Sequence, residues 1–153
     1  MPLIDAGFTT PEGVGDHTKL ISFGPTVEVI VSHHNPDGQE PPEEQEKPES
    51  VHGLIDSGAS ESCIDAQLAQ KLGLPIIDIR SIAGVGGAKT HNVYLAQIHI
   101  YTLDIFQYGA FTGVDLAEGG QAHQVLLGRT FLQNTVMIYD GIRGQVTVAT
   151  IKR

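Results

Sequence analysis

The chain is poor in positive charge, cysteine and long apolar runs. It has 9 lysines and arginines against 18 aspartates and glutamates, a formal net charge of −9. Nucleic acids and anionic membranes repel such a surface, so neither is expected as a partner. Cys63 is the only cysteine, so no intrachain disulfide can form. The cysteine content therefore gives no indication that the protein works in an oxidising compartment.

Membrane and export signals are also missing. No apolar run is long enough to span a bilayer, and the opening residues 1–6 lack the basic and apolar regions of a signal peptide. A cytoplasmic location is therefore the expectation.

The composition favours a β protein. The chain has 153 residues, 41% of them hydrophobic, with 18 glycines and 8 prolines. That length predicts one domain with a real core, and so many glycines and prolines suit a turn-rich fold better than a helical bundle. We expect a single domain over residues 1–153 with its core at about 26–149.

Short stretches with β-branched residues or period-two alternation predict a series of strands. They are Thr26–Val31, Val51–Ile55, Pro75–Ile82, Thr90–Leu103, Ile105–Leu116, Val125–Gly128, and a final hairpin of Thr135–Tyr139 and Gln145–Thr150. Many short strands with one or two helices indicate an all-β, closed barrel-like fold.

Two segments break the strand pattern. Residues 35–50 are rich in proline and glutamate with almost nothing apolar, which predicts a solvated loop. From Ser62 to Leu72 apolar residues recur at helical spacing, with Ser60 or Ser62 as a possible cap. We therefore expect a helix over 62–72 that carries Cys63, and one helical turn over Arg129–Asn134.

The segment with the most chemistry runs from Leu54 to Ala59. A short apolar strand delivers Asp56 to a tight turn with Ser57 and Gly58. A carboxylate rarely follows buried strand residues unless it is paired, hydrogen-bonded or used in chemistry. Taken alone, the triplet is equally consistent with an ordinary turn aspartate or a helix cap.

Two further motifs follow in order. Gly84, Val85, Gly86 and Gly87 form a glycine-rich tip between two predicted strands. Leu126, Leu127, Gly128 and Arg129 form an apolar-apolar-Gly-Arg run that leads into the predicted helical turn.

These three motifs together resemble the retropepsin family of aspartic proteases, in the cellular and bacterial single-domain form more than in the viral form. The resemblance implies an acid-protease barrel that hydrolyses peptide bonds in extended polypeptides as a homodimer, with no metal or organic cofactor. Asp56 of each chain would be catalytic, because this chemistry needs two carboxylates that share a proton.

The resemblance also assigns roles to the other motif residues. Ser57, Gly58 and Ala59 would form the active-site turn and contact the substrate backbone. Gly84 to Gly87 would be the flap that closes over the peptide, and Leu126 to Arg129 would support the turn. Ala59 matches the retroviral pattern, whereas pepsin-type enzymes usually have a hydroxyl residue there, so a working pH nearer neutral is expected.

The chain departs from the viral pattern at two places. Viral enzymes commonly have an acidic residue after the alanine, which meets the arginine of the Gly-Arg run. Here Ser60 follows Ala59 and Glu61 comes next, so Glu61 is a possible substitute partner for Arg129. Chain ends interleave in the viral dimer, but residues 1–25 here match no recognised pattern.

Other interpretations remain open. The main alternative is a dimerisation or peptide-binding module of the same fold that has lost efficient catalysis. The Asp-Ser-Gly triplet also occurs in phosphorylated degradation signals, although a preceding apolar strand disfavours that reading. Histidines 17, 33, 34, 52 and 91 fit no known metal-site spacing, and no histidine pairing suggests Cys63 as a nucleophile.

Overall fold

The structure is a computed structural model that describes residues 2–35 and 40–151. Within these residues the chain forms ten strands, three short helices and a 3-10 turn. The strands are β1 (Leu3–Asp5), β2 (Thr26–Ser32), β3 (Glu49–Ile55), β4 (Cys63–Asp65), β5 (Ile76–Gly84), β6 (Gly87–Ile100), β7 (Ile105–Val114), β8 (Val125–Leu127), β9 (Thr135–Asp140) and β10 (Gln145–Thr150). The helices are α1 (His17–Phe23), α2 (Ala66–Lys71) and α3 (Arg129–Leu132), and the 3-10 turn is Tyr101–Leu103.

Seven strands form one sheet in the order β2-β3-β8-β4-β7-β6-β5. Strand β2 also pairs with β6, so six of the strands close into a ring and β5 extends from it as the outer arm of a hairpin. The pairs β3–β8 and β4–β7 are parallel, and the other pairs in this sheet are antiparallel. The expected all-β closed barrel is confirmed.

Alternation along the strands explains the core. In β2, Val27, Val29 and Val31 are buried while the residues between them point outward, because successive side chains of a strand face opposite sides of the sheet. In β6, Ala96, Ile98 and Ile100 do the same. The inward-facing aliphatic side chains of these strands, together with the aromatic rings of Tyr94 and Phe111, therefore form the core.

The remaining strands form a second sheet in the order β1-β10-β9. Strands β9 and β10 are the predicted C-terminal hairpin, which is confirmed. Strand β1, which pairs with this hairpin, lies in the N-terminal segment, where the sequence analysis predicted no helix or strand. The N–H of Ala6 donates to the carbonyl of Val146 (2.8 Å), and that of Thr26 donates to the carbonyl of Ala6 (2.8 Å). Ala6 and Leu20 are buried in the same hydrophobic core as the barrel.

The helix predicted over Ser62–Leu72 was wrong in its first four residues. Cys63–Asp65 is strand β4, held between β7 and β8, and α2 begins at Ala66. Strand pairing on both sides outweighs the helical spacing of the apolar residues here. Cys63 therefore lies half-buried on a strand, and Asp65, neither Ser60 nor Ser62, caps the helix.

The acidic loop is shorter than predicted. Residues 36–39 lie outside the described residues, and 40–48 contain turns but no helix or strand. Strand β3 begins at Glu49, which forms an ion pair with Lys71 (2.8 Å). None of the described helices has the length and apolarity needed to cross a membrane.

Asp65 is a buried carboxylate that ties three elements together. Its Oδ2 accepts the N–H of Leu68 (3.2 Å), and its Oδ1 accepts the N–H groups of Leu116 and Ala117 (3.1 Å each). One side chain thus caps α2 and fixes the chain that leaves β7, beside the ring strands β4 and β8.

We predict that Asp65→Ala lowers the free energy of unfolding by about 2–4 kcal/mol, because buried N–H groups lose their acceptor. Urea unfolding measures the change. Asp16→Ala is the matched control, since Asp16 caps α1 through one exposed bond to the N–H of Lys19, and it should cost about 1 kcal/mol. Equal effects of the two substitutions would contradict the anchoring role.

Candidate active site

Strand β3 brings Asp56 to the end of a parallel strand pair. Leu54 lies opposite Leu126 and Ile55 opposite Leu127, and both Ile55 and Leu127 are buried. The ladder extends one step further, since the N–H of Asp56 donates to the carbonyl of Leu127 (2.9 Å). The backbone of Asp56 is thereby fixed to the barrel.

The turn after Asp56 holds its carboxylate. The N–H of Gly58 donates to Asp56 Oδ1 (2.9 Å), and the N–H of Ala59 donates to the carbonyl of Asp56 (3.2 Å). A Cβ on Gly58 would lie 3.0 Å from Oδ1, so glycine permits this close approach. Among the described residues, no hydrogen bond is made to the other oxygen, Oδ2.

The Asp56 side chain is reachable from outside. Asp56 is half-buried, and Ser57, Gly58 and Ser60 are exposed around it. A carboxylate with one oxygen held by a backbone amide and the other open to solvent can bind a water molecule or a second carboxylate. A single chain supplies one such group at this turn.

The backbone of the Gly-Arg run is hydrogen-bonded to the turn that follows Asp56. The N–H of Arg129 donates to the carbonyl of Ala59 (2.9 Å), and that of Thr130 donates to the carbonyl of Ser60 (3.1 Å). The N–H of Gly128 donates to Ser62 Oγ (3.1 Å). These bonds lie side by side at the start of α3, so the helical turn and the Asp56 turn form one unit.

The arginine side chain does not meet Glu61. Arg129 Nη1 donates to the carbonyl of Ser57 (2.8 Å), whereas Glu61 pairs with Arg80 of β5 (2.6 Å). The possibility that Glu61 replaces the viral acidic residue as partner of Arg129 is therefore wrong in this structure. Arg129 binds the turn through a backbone carbonyl, which any residue at position 57 offers.

The glycine-rich tip closes the β5–β6 hairpin. Gly84 lies opposite Gly87, with Val85 and Gly86 as the two turn residues. Gly87 has a φ of 99°, which side chains other than glycine rarely adopt. Val85 is fully exposed, so the tip extends away from the barrel.

A hollow of about 540 Å³ lies between the Asp56 turn and the hairpin arm. Gly58, Ala59 and Cys63 line one side, and Arg80 and Ile82 line the other. Burial, helped by the negative charges of Glu61 and Asp56, raises the pKa of the Cys63 thiol. The thiol is therefore protonated at neutral pH and acts as a small, weakly polar wall of the hollow.

Two features of this region were not predicted from the sequence. One is the Ser62 hydroxyl that accepts from Gly128, and the other is the ion pair between Arg80 and Glu61. Neither had a local signal, because the partners lie 66 and 19 residues apart in the chain. Among the described residues, no group of three or more histidine, cysteine or acidic side chains is arranged to hold a metal ion.

Comparison with solved structures finds proteins of similar fold. The fold resembles that of a retropepsin-like aspartic protease from Rickettsia conorii, known from a crystal structure, with a TM-score of 0.51 and 15% identity over 95% of this chain and 89% of that one. The solution structure of the Simian Foamy Virus (mac) protease aligns with a TM-score of 0.45 and 14% identity, over 71% of this chain and 91% of that one.

The family model described as gag-polyprotein putative aspartyl protease matches residues 47–134. The match covers more than half of the chain and includes all three motifs, and the chain belongs to this family. The expected resemblance to retropepsin-like aspartic proteases is confirmed by this family model, and the fold is similar to that of a bacterial one. No curated protein matches the sequence.

We predict that Gly128→Ala lowers the free energy of unfolding by about 1–3 kcal/mol through overpacking. Its Cβ would lie 2.5 Å from the carbonyl oxygen of Glu61 and 3.0 Å from that of Ala59, so the Asp56 turn would have to move. Denaturant unfolding measures the loss. Gly86→Ala is the control, because nothing lies within 4 Å of its Cβ position; a similar loss in both variants would contradict the close packing argument.

Proposed function

We propose that the protein is an aspartic endopeptidase in which Asp56 is the catalytic residue and a homodimer is the active form. The observation that carries the proposal is the Asp56 carboxylate itself, held through one oxygen by the Gly58 N–H (2.9 Å) and open to solvent at the end of a buried strand pair. Membership of an aspartyl protease family supports assigning this carboxylate to peptide hydrolysis.

The chemistry requires a second carboxylate. Two carboxylates in contact cannot both ionise cheaply, so they share one proton. The ionised carboxylate takes a proton from a bound water molecule, whose oxygen attacks the carbon of the scissile carbonyl. The protonated carboxyl group donates a hydrogen bond to the oxygen of that carbonyl. A twofold axis next to the turn supplies the second group as Asp56 of the partner chain.

The turn residues have distinct roles in this proposal. Gly58 leaves room for the carboxylates and for the substrate backbone. The exposed Ser57 hydroxyl hydrogen-bonds across the dimer interface, while its carbonyl stays bound to Arg129. Leu126 and Leu127 hold the strand pair, so Leu126 to Arg129 are positioning residues and not catalytic ones.

The hollow beside the turn is the proposed substrate site. An extended peptide lies between the Asp56 turn and the β5–β6 hairpin, with alternate side chains in pockets on either side. The tip of Gly84, Val85, Gly86 and Gly87 acts as a flap. Because its turn has little contact with the barrel, it can close over the peptide and exclude water.

The first test is Asp56→Asn. We expect peptide cleavage to fall by at least about 1,000-fold, because an amide can neither accept the proton of the water nor share one with its partner. Cleavage of a peptide library is measured at matched protein concentration, with dimer content checked by sedimentation.

Asp104→Asn is the control for that test. It makes the same change at an exposed residue with a φ of 51°, a backbone conformation that asparagine tolerates, and cleavage should stay unchanged. Equal cleavage by the Asp56→Asn variant and the wild type would overturn the assignment. So would a wild-type protein that cuts no peptide in the library.

The second test is the pH profile of cleavage. Ala59 offers no side-chain donor to the carboxylates, so we expect an optimum nearer neutral than in pepsin-type enzymes. Ala59→Ser adds a hydroxyl that stabilises the ionised form, and the optimum should move down by about 0.5–1 pH unit. Ser60→Ala is the neighbouring control. A wild-type profile that peaks only below about pH 3 would contradict this account.

A further inference from the structure

The outer side of strands β6 and β7 carries a group of exposed aromatic rings. Ile98 of β6 is buried in the core, so Gln97 and His99 on either side of it lie on the outer surface of the barrel. Across the strand pair, Tyr108 lies opposite Gln97 and Phe106 opposite His99. Phe106 is 59% exposed and Tyr108 51%, so these cross-strand pairs present their rings to solvent.

The rings contact one another. His99 stacks on Phe106, with ring centroids 3.9 Å apart and planes 7° from parallel, and the edge of Tyr101 meets His99 at 5.7 Å. His34, just beyond β2, lies against Tyr108 with centroids 3.6 Å apart. These five residues are the aromatic face. Because each ring packs on another, the rings are ordered before any partner binds.

The strands that carry the aromatic face bear only negative formal charge. Residues 26–35 and 90–110 contain no lysine or arginine. Their acidic residues, Glu28 of β2 and Asp104 of the turn before β7, are both exposed. Carboxylates with no neighbouring cation on their own strands create a negative potential, which attracts a positively charged group.

The proline- and glutamate-rich loop borders the aromatic face. Asn35 and Gln45 exchange two side-chain hydrogen bonds (2.9 and 3.2 Å), and loop residues share a hollow of about 310 Å³ with Gln97. His34 Nδ1 donates to Gln97 Oε1 (3.1 Å), which joins this border to the rings. The loop has one lysine, Lys47, and four exposed glutamates, Glu40, Glu43, Glu44 and Glu46. It therefore adds negative charge beside the aromatic face.

We propose that the aromatic face binds an arginine-rich segment of a partner protein. A guanidinium group is attracted to the face of an aromatic ring within about 6 Å, and it forms charge-assisted hydrogen bonds with carboxylates. The rings supply the first interaction, and the glutamates of the loop supply the second. The hollow beside Asp56 is lined by other residues, so this surface is separate from the proposed catalytic site and goes beyond the proposed function.

Charge selects this partner over two others that aromatic rings can bind. A second copy of the chain would bring its own Glu28, Asp104 and glutamate loop against the same groups, and like charges in an interface disfavour binding. Nucleic acid bases stack on aromatic rings, but the phosphates would be repelled. Arginine is favoured over lysine because its planar group stacks on rings and is more weakly hydrated.

The first experiment uses a tryptophan as a reporter. The chain contains no tryptophan, and tryptophan gives the strongest attraction to a cation. In the variant Tyr108→Trp, a peptide of alternating arginine and glycine should change the tryptophan emission, and the dissociation constant should fall by about 2–5-fold from the wild-type value. Tyr139→Trp is the control, because Tyr139 is 50% exposed on strand β9, and its emission should stay unchanged.

The second experiment removes rings without changing the charge. Replacing both residues, Phe106→Ala and Tyr108→Ala, should raise the dissociation constant of the labelled peptide by about 10-fold. Tyr139→Ala removes an equally exposed ring elsewhere and should change it by less than about 2-fold. Fluorescence anisotropy at about 0.15 M salt gives the constants, and circular dichroism verifies folding.

The third experiment changes charge without removing rings. Glu43→Gln with Glu44→Gln should raise the dissociation constant by about 3–5-fold, because these groups border the aromatic face. Glu12→Gln with Glu118→Gln makes the same change in net charge at exposed positions outside the loop, and it should have less than about 2-fold effect. A glycine-serine peptide of equal length should not bind.

Three results would overturn the proposal. One is a wild-type protein that binds the arginine peptide no better than the glycine-serine peptide. Another is equal weakening by the two glutamate pairs with no effect of ring removal, since binding would then follow net charge alone. The third is a change in oligomeric state, seen by sedimentation, when Phe106 and Tyr108 are replaced, because the face would then join two copies. None of these measurements depends on cleavage, so their failure leaves the proposed function standing.

Discussion

Asp56 stands where it does because its N–H donates to the carbonyl of Leu127, one step beyond the parallel pairing of β3 and β8. Everything else at the site is arranged around that bond. The ring of strands buries Ile55 and Leu127 beneath it, and α3 returns from the end of β8 to bind the turn at Ala59 and Ser60. The carboxylate is thus carried by a buried, hydrogen-bonded strand pair while one of its oxygens stays open to solvent.

The Asp56 turn and strand β9 are joined through one short helix. In the proposed mechanism the Asp56 turn supplies one of two carboxylates, and among the described residues β9 pairs on one side only, with β10. Helix α3 joins these features through backbone hydrogen bonds and a two-residue link.

The local sequence pattern was sufficient to predict most of the strands. It failed where pairing with neighbouring strands determines the secondary structure. The alternation of Ile98 and Ile100 with Gln97 and His99 indicated a half-buried strand, and the structure has one. The spacing of Ile64, Leu68 and Leu72 indicated one helix, yet Ile64 lies in strand β4 between β7 and β8. The edge strand β1 had no signal strong enough to predict, since its three residues form a strand only because β10 is beside them.

The sequence by itself determined the strand-rich class, the order of the three motifs and the family they resemble, because these depend on residue type and spacing along the chain. Tertiary structure decided which groups meet. It placed Arg129 on the carbonyl of Ser57 and Glu61 on Arg80, paired the N-terminal strand in cis and left β9 at an edge. Such contacts join residues far apart in the chain, so their geometry is set by sheet topology and not by local pattern.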